Sequence, residues 1–381
     1  MSESSSRRPY QPFARGRTYL DWNATSPISP NVLARMVEAA EQFWANPSST
    51  HSLGQEAKSL IEGVRLKLAD LLGAHPRDII FTSGGTESNN WAIHDAPGLV
   101  LSRLEHPSIA RVAERFEEAG RPVRWLAVQA GGQVELGSLE ACLNDMPTGT
   151  CVAVMAVNHE TGVIQPLEQV ASIAHRMGAW VHVDAVQALG KLEPSAWCSW
   201  DSVSLGAHKI QGPKGIGVLA WRCGTRTPRA GMVGGSQERG LRPGTLDSVS
   251  VAGFGAALEA AHDGPARYRA IAILRNALEC ALRGLAEPNV CNDSERLGHV
   301  TSLYVPGWSG AELVAALDLE GVCISSGSAC AAGTSEVSPV ITSMLGTNRA
   351  RSTVRISLGP VTGETDIQRA IEAFSKVMAR P

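Results

Sequence analysis

Short, uninterrupted apolar runs alternate with amphipathic stretches through the first two thirds of the chain. "DIIFTSG" (78–84), "TCVAVMAV" (150–157), "AWVHVDA" (179–185) and "SVSLGA" (202–207) are rich in β-branched residues and read as strands. Pro107 to Glu118, Ser138 to Asn144 and Leu167 to Met177 read as the helices between them. Strands that are apolar on both faces and alternate with helices predict an α/β domain, its mainly parallel sheet covered on both sides. After about residue 255 the texture changes. An Ala-, Leu- and Arg-rich helical stretch, Val251 to Leu285, leads into a smaller α+β segment that holds "STVRISLG" (352–359) and a final helix. The expected organisation is a flexible N-terminal arm (1–17), a large domain (18–255) and a small C-terminal domain (256–381). No internal repeat is present.

Composition narrows the classes of function. The 381 residues are 44% hydrophobic and 19% charged, which is ordinary for a globular protein with a large core. A net charge of −3 makes no electrostatic case for nucleic acid or an anionic membrane. No apolar run reaches the ~18 residues that span a bilayer. The opening "MSESSSRRPYQPFARGR" lacks the apolar centre of a secretory signal, so a cytoplasmic location is expected. Eight cysteines are scattered along the chain with no CxxC pair, so no metal site is expected. Most of them, Cys323 included, are expected as small core hydrophobes. Cys330 differs. It lies in "SSGSACAAGTSEVS", a small, polar, glycine-bearing composition typical of an exposed loop, where a thiolate would be accessible and nucleophilic.

Ligands of an open α/β sheet collect at the carboxyl ends of its strands, so the polar residues there carry the chemistry. "FTSGGTESNN" ends a strand with glycines and Thr86 and opens a helix whose N–H groups can cradle a phosphate. A plain turn with a threonine cap reads it equally well. No Gly-Lys-Ser/Thr follows, which excludes a Walker A loop. His106 follows a strand in "RLEHPSI", and Asn158 and His159 follow another in "VNHETG". "HVDAVQ" carries Asp184 at the end of an otherwise apolar strand, where a carboxylate needs a cation or a donor; a helix cap is its commoner fate. Lys209, in "SLGAHKIQGPKGIG", stands where an apolar strand runs out between glycines. Each has a structural reading alone, but five strand ends presenting Thr, His, His, Asp and Lys together do not. A phosphate cradle, an acid, an aromatic stacker and a Schiff-base lysine form the binding set for pyridoxal 5′-phosphate.

Further motifs follow in one order: "YLDWNATSP", "NPSSTH", "FTSGGTESNN", "EHPSI", "VNHETGVIQP", "HVDAVQ", "AHKIQGPKGIG", "ERGLRPGT" and "SSGSACAAG". Over nearly its whole length the chain resembles the cysteine desulfurases of the nitrogen-fixation and iron–sulfur-cluster type, within the fold-type I pyridoxal-phosphate enzymes. The resemblance implies a seven-stranded, mainly parallel large domain and a small C-terminal domain carrying the catalytic cysteine loop. It implies Lys209 as the Schiff-base lysine, Asp184 at the pyridine nitrogen, Gln187 at the ring oxygen and His106 on the ring face. Gly85, Thr86 and His208 match phosphate ligands, and Thr245 matches one reaching over from a second subunit, so a homodimer is implied. Asn46 and Arg355 match the groups that hold the substrate carboxylate.

Two departures stand out. His159 replaces the usual asparagine and would face the cofactor oxygen, and Gly206 replaces a serine, leaving only backbone toward the phosphate. The implied reaction converts L-cysteine to L-alanine, with Lys209 or His106 moving the α-proton and Cys330 taking the sulfur as a persulfide. A sulfur-acceptor protein, scaffold or carrier, then follows as a partner, with iron–sulfur clusters or other sulfur-containing products downstream. A selenocysteine lyase or another C–S lyase is the alternative enzyme. A degenerate cofactor-fold binding protein is the non-enzyme alternative, against which Lys209, Asp184 and Arg355 stand intact.

Overall fold

The computed structural model describes residues 16–222, 229–290, 294–327 and 337–379. The chain enters through a two-residue strand, β1 (Thr18–Tyr19), and two helices, α1 (Pro30–Gln42) and α2 (Ser52–Leu72). Ser29 caps α1 by accepting the Val32 N–H, and Pro30 starts the helix where no N–H is needed. Gly73, at a φ of 58°, ends α2 in the left-handed conformation that glycine tolerates.

The large sheet comprises β2 (Ile79–Thr82), β3 (Leu99–Ser102), β4 (Val123–Leu126), β5 (Cys151–Met155), β6 (Trp180–Asp184), β7 (Ser202–Gly206) and β8 (Gly217–Trp221). Their order is β2-β8-β7-β6-β5-β3-β4. β8 runs antiparallel to both its neighbours, and the other pairs are parallel. Six strands therefore end at one edge. Every residue of β5 and β7 is buried, the physical reason for the continuous apolar run of β5 and for the small residues Ser202 and Ser204 in β7. The crossovers are α3 (Gly85–Ile93), α4 (Pro107–Glu118), α5 (Leu136–Asn144) and α6 (Leu167–Arg176), and α4 spans the same residues the sequence predicts.

The helical stretch expected from Val251 to Leu285 is three helices, α7 (Ser248–Ala260), α8 (Gly264–Ala270) and α9 (Ala272–Ala281). Pro265 sits in the first turn of α8, where it cannot continue a preceding helix. A Cβ on Gly264 would lie 2.0 Å from the Gly190 carbonyl oxygen, so the break also needs glycine. A second core gathers Leu20, Tyr268, Leu278, Ile356 and Phe374. It packs around an antiparallel sheet of β9 (Glu287–Pro288), β10 (Val300–Tyr304) and, after β11 (Val322–Cys323), β12 (Thr353–Ser357).

The two cores do not divide at residues 18 and 255. β1 pairs with β11, which draws Leu20 into the second core, while Ala257 of α7 remains in the first. The cysteines also differ from expectation. Among the described residues Cys151 is buried, Cys142 and Cys323 are half-buried, and Cys198 and Cys280 are exposed. α9 turns Leu278 inward, which leaves Cys280, two positions on, outside. Cys223, Cys291 and Cys330 lie outside the described residues. Among those described, no helix is long and apolar enough to cross a membrane.

Candidate active site

The carboxyl ends of β2, β3, β5, β6 and β7 surround a cavity of about 210 Å³. Gly85, Thr86, His106, His159, Asp184, Gln187, His208, Lys209 and Arg355 all face it. Most of the predicted site is therefore assembled at one place. Gly206 ends β7 just outside that wall; a Cβ there would meet Val186 at 3.6 Å and His208 at 3.7 Å, which is ordinary contact. Asn46 and Thr245 are not in the cavity. Both are exposed, and Asn46 uses its Oδ1 to accept the Ser48 N–H at 2.9 Å. Pro47, Ser48 and Leu246 line one separate cleft, so the two outliers share another face of the chain.

β6 carries Asp184 to the sheet edge, where it is buried. Its Oδ1 accepts the Val186 N–H at 3.0 Å and its Oδ2 accepts from Asn89 Nδ2 at 2.7 Å. Asn89 also donates to Ser108 Oγ at 2.9 Å, so its own Oδ1 is left to accept, from His182 Nε2 at 3.0 Å. His182 Nδ1 then pairs with Ser202 Oγ at 2.7 Å. Burial holds the His182 pKa down to about 3, so the imidazole is neutral with its proton on Nε2. Asp184 thus keeps two fixed donors and has lone pairs left for an N–H in the cavity.

His106 caps α4. Its Nδ1 accepts the Ser108 N–H at 3.1 Å and pairs with Ser108 Oγ at 2.8 Å, which fixes the ring plane. The His159 ring stands edge-on to it, 5.6 Å between centroids at 72°. His159 is buried, and neither ring nitrogen is hydrogen-bonded to any of the described residues. Burial first, then His106, Arg355 and Lys209, push its pKa far below the usual histidine value. His208 is pushed down to about 3 by burial and then by Lys209, and its Nδ1 lies 3.2 Å from Thr25 Oγ1. The short turn Ala207–Lys209 that follows β7 aims the Lys209 ammonium at the backbone carbonyls of Asn23 and, at 2.8 Å, Ala24.

Arg355, on β12, is buried. Its Nη2 pairs with Asp21 Oδ1 at 2.5 Å, its Nη1 donates to the His159 carbonyl at 3.1 Å, and its Nε has no partner among the described residues. Asn23 joins these segments. Its Nδ2 donates to the His159 carbonyl at 3.1 Å, its Oδ1 pairs with His299 Nε2 at 2.8 Å, and its carbonyl accepts from Gln187 Nε2 at 3.1 Å. Asp21, Asn23, Asn89, His182 and His299 are the residues that sequence reasoning missed. For Asp21 the signal was a carboxylate that follows the short strand β1 and Leu20 in "YLDWNATSP".

The donor set fits a flat, phosphate-bearing aromatic cofactor. No side chain caps the N-terminus of α3, which opens into the cavity at Gly85 and Thr86. A Cβ on Gly85 would strike Val186 at 2.7 Å, and one on Gly217 would strike Gly84 at 2.6 Å, so the cradle is built by close backbone approach. The two unsatisfied nitrogens of buried His159 call for a ligand atom, and Asp184 awaits an N–H. A lysine after β7, a carboxylate ending β6 and a phosphate cradle after β2 define a pyridoxal 5′-phosphate-dependent enzyme of fold type I.

The chain belongs to the aminotransferase class-V family, whose model matches residues 18–370. It is 37% identical over 376 residues to "Cysteine desulfurase 2" of Trichormus variabilis, covering 95% of this chain and 93% of that protein. Among solved structures it is similar to a "NifS-like protein", with a TM-score of 0.88 and 30% identity over 95% of this chain and 99% of the other. A structure titled "SspA in complex with cysteine" is also similar, with a TM-score of 0.77 and 29% identity over 91% of this chain and all of that one.

Proposed function

We propose that the protein is a cysteine desulfurase that converts L-cysteine to L-alanine and moves the sulfur to Cys330 as a persulfide. The observation that supports it most is the meeting of Lys209, Asp184, His106 and Arg355 around one cavity, in a chain similar to a protein named cysteine desulfurase. Bound pyridoxal phosphate supplies an electron sink for charge developing at the substrate α-carbon. The chain's residues do the rest. Asp184, oriented by Asn89 and the Val186 N–H, holds a negative charge against the cofactor's ring nitrogen. The α3 N-terminus and neutral His208 take the phosphate, while His159 and Gln187 face the ring oxygen. His106, its Nδ1 tied to Ser108, covers one ring face.

Arg355 receives the substrate carboxylate, in competition with the Asp21 carboxylate it now holds. Lys209 and His106 border the same space and carry the α-proton. The C–S bond of the substrate breaks as the Cys330 thiolate bonds to the departing sulfur, and the carbon skeleton leaves as alanine.

The active species in this proposal is a homodimer. Thr245 is exposed on a face that also carries Trp44, Met232 and Val233, exposed at 69%, 47% and 100%. Ser248 Oγ donates to the Phe43 carbonyl, and a Cβ on Gly234 would touch Pro243 at 2.8 Å, which gathers these segments together. An apolar patch of that kind suits a second copy, with Thr245 reaching the neighbour's phosphate. A sulfur-acceptor protein in the cytoplasm then takes the persulfide sulfur toward iron–sulfur clusters or other sulfur-containing products.

The test is purified protein given cysteine and selenocysteine in parallel. Alanine from cysteine and a mass increase of one sulfur on the Cys330 peptide are expected, with both lost in Cys330→Ala. Turnover of selenocysteine alone would replace this reading with a selenocysteine lyase.

A further inference from the structure

Behind the cavity wall lies a lysine with no role so far. Lys191 is 2% exposed, and the turn after β6 folds it back so that its Nζ donates to Gln187 Oε1 at 2.6 Å. On its other side Gln187 Nε2 donates to the Asn23 carbonyl at 3.1 Å. A backbone carbonyl can only accept, and the lysine donates, so the amide has one orientation. Its oxygen faces Lys191 and its nitrogen faces Asn23, which lines the same cavity as Gln187. One hydrogen of Nε2 serves Asn23, and the second remains for a ligand.

The charged and titratable groups around Lys191 are Lys209 and His208 on the turn after β7, Arg355 on β12, Tyr268 on α8 and His299. The Tyr268 ring centroid is 5.9 Å from its Nζ. None of these is a carboxylate. Burial, then Lys209 and Arg355, push the Lys191 pKa well below the usual lysine value. A buried amine with cationic neighbours and no ion-pair partner among the described residues is costly as a structural device, whereas as a donor to one amide oxygen it has a definite use.

We propose that Lys191 is a positioning residue that acts through Gln187, so that an amide N–H and not an amide oxygen meets the ring oxygen of the cofactor. The inference rests on the cofactor lying with that oxygen at Gln187. Without Lys191 the amide oxygen loses its donor and only the Asn23 carbonyl still holds the amide this way, so the orientation with the oxygen inward gains population, where it repels the anionic ring oxygen and leaves it more basic.

The test uses holoenzyme variants Lys191→Met, Gln187→Ala and the double variant, each titrated with pH while the visible absorbance of the cofactor is followed. Each single change is expected to raise the midpoint by about one pH unit, and the double variant to move it no further than Gln187→Ala alone. Melting of Lys191→Met is expected at or above the parent temperature, because methionine fills a similar volume without a buried amine. An unmoved midpoint in Gln187→Ala refutes the placement of the ring oxygen. A shift in Gln187→Ala with none in Lys191→Met, or shifts that add in the double variant, overturns the role of Lys191. Lys191→Leu carries the same test should the methionine variant give no folded holoenzyme.

Discussion

Asn89 Nδ2 meets Asp184 Oδ2 at 2.7 Å, tying the first helix after β2 to the carboxylate that ends β6. Two elements far apart in sequence are thus locked at the atom that the proposed function sets against the cofactor nitrogen. Asn89→Ala removes that donor and also takes the 3.0 Å acceptor from the His182 N–H, leaving it only the longer 3.4 Å contact to Ser204 Oγ. Leaving buried polar groups unsatisfied costs about 1–3 kcal/mol each. The variant is therefore expected to unfold at lower urea and to bind pyridoxal phosphate about tenfold more weakly. Equilibrium titration of the cofactor-free protein measures the second effect. Unchanged cofactor affinity would show that Asp184 holds its position without Asn89.

The buried histidines give the stability of the cofactor-free protein a sign in pH. His182 has a folded pKa of about 3, set by burial, against ~6.5 in the unfolded chain. Between those values the unfolded chain takes up a proton that the folded chain does not. The stabilising contribution is complete above ~6.5 and is lost as pH falls toward 3, by about 1.4 kcal/mol per pH unit. Glu105, buried and raised by desolvation, contributes with the opposite sign, but equally in parent and variant. His182→Gln, which keeps a donor for Asn89, should therefore flatten urea-derived stability between about pH 6 and 4 by one proton's slope. Parallel curves for the two proteins would contradict this.

Gly206 offers a gain-of-function test. A Cβ at this position meets Val186 and His208 only at ordinary contact distances, and the backbone there is extended, so serine fits without strain. A hydroxyl beside His208 adds one donor on the phosphate side of the cavity. Hydrogen bonds of this kind are worth about 0.5–1.5 kcal/mol, so Gly206→Ser is expected to tighten pyridoxal phosphate binding about threefold to tenfold. Weaker binding in fluorescence titrations would mean that the phosphate lies elsewhere.

Much of this site was legible because strand ends announce themselves. Asp184 and Lys209 interrupt apolar runs, and a charged group at such a place needs a reason. The alternation of strands and helices also disclosed the parallel sheet, whose strands β5 and β7 are buried on both faces. Asn89 and Asn23 were hidden for the opposite reason. Each is a polar residue inside a polar stretch, and its meaning comes from partners about a hundred residues or more away, Asp184 for the first and Gln187, His159 and His299 for the second. The break of Val251 to Leu285 into three helices was visible in Asp263-Gly264-Pro265 but outweighed by the helix-forming composition around it. Asn46 and Thr245 lie apart from the cavity, exposed on another face of the chain; in the proposed homodimer that face meets a second subunit.

That arrangement leads to a complementation test. If Thr245 completes the neighbour's phosphate site, each active site draws on two chains, and two inactive proteins can rescue one another. Lys209→Ala is expected to be inactive through loss of its amine. Thr245→Val is expected to load cofactor poorly, so at limiting pyridoxal phosphate it too shows little activity. In a hybrid dimer the protomer that keeps Lys209 receives an intact Thr245 from its partner, which makes one of the two sites wholly normal. Random re-pairing makes about half the dimers hybrid, so the mixture should regain roughly a quarter of the parent activity. Mixing without subunit exchange serves as the control and should regain none. If the exchanged mixture recovers no more than the average of its two components, Thr245 serves its own chain or no cofactor site at all, and the shared-site dimer is wrong.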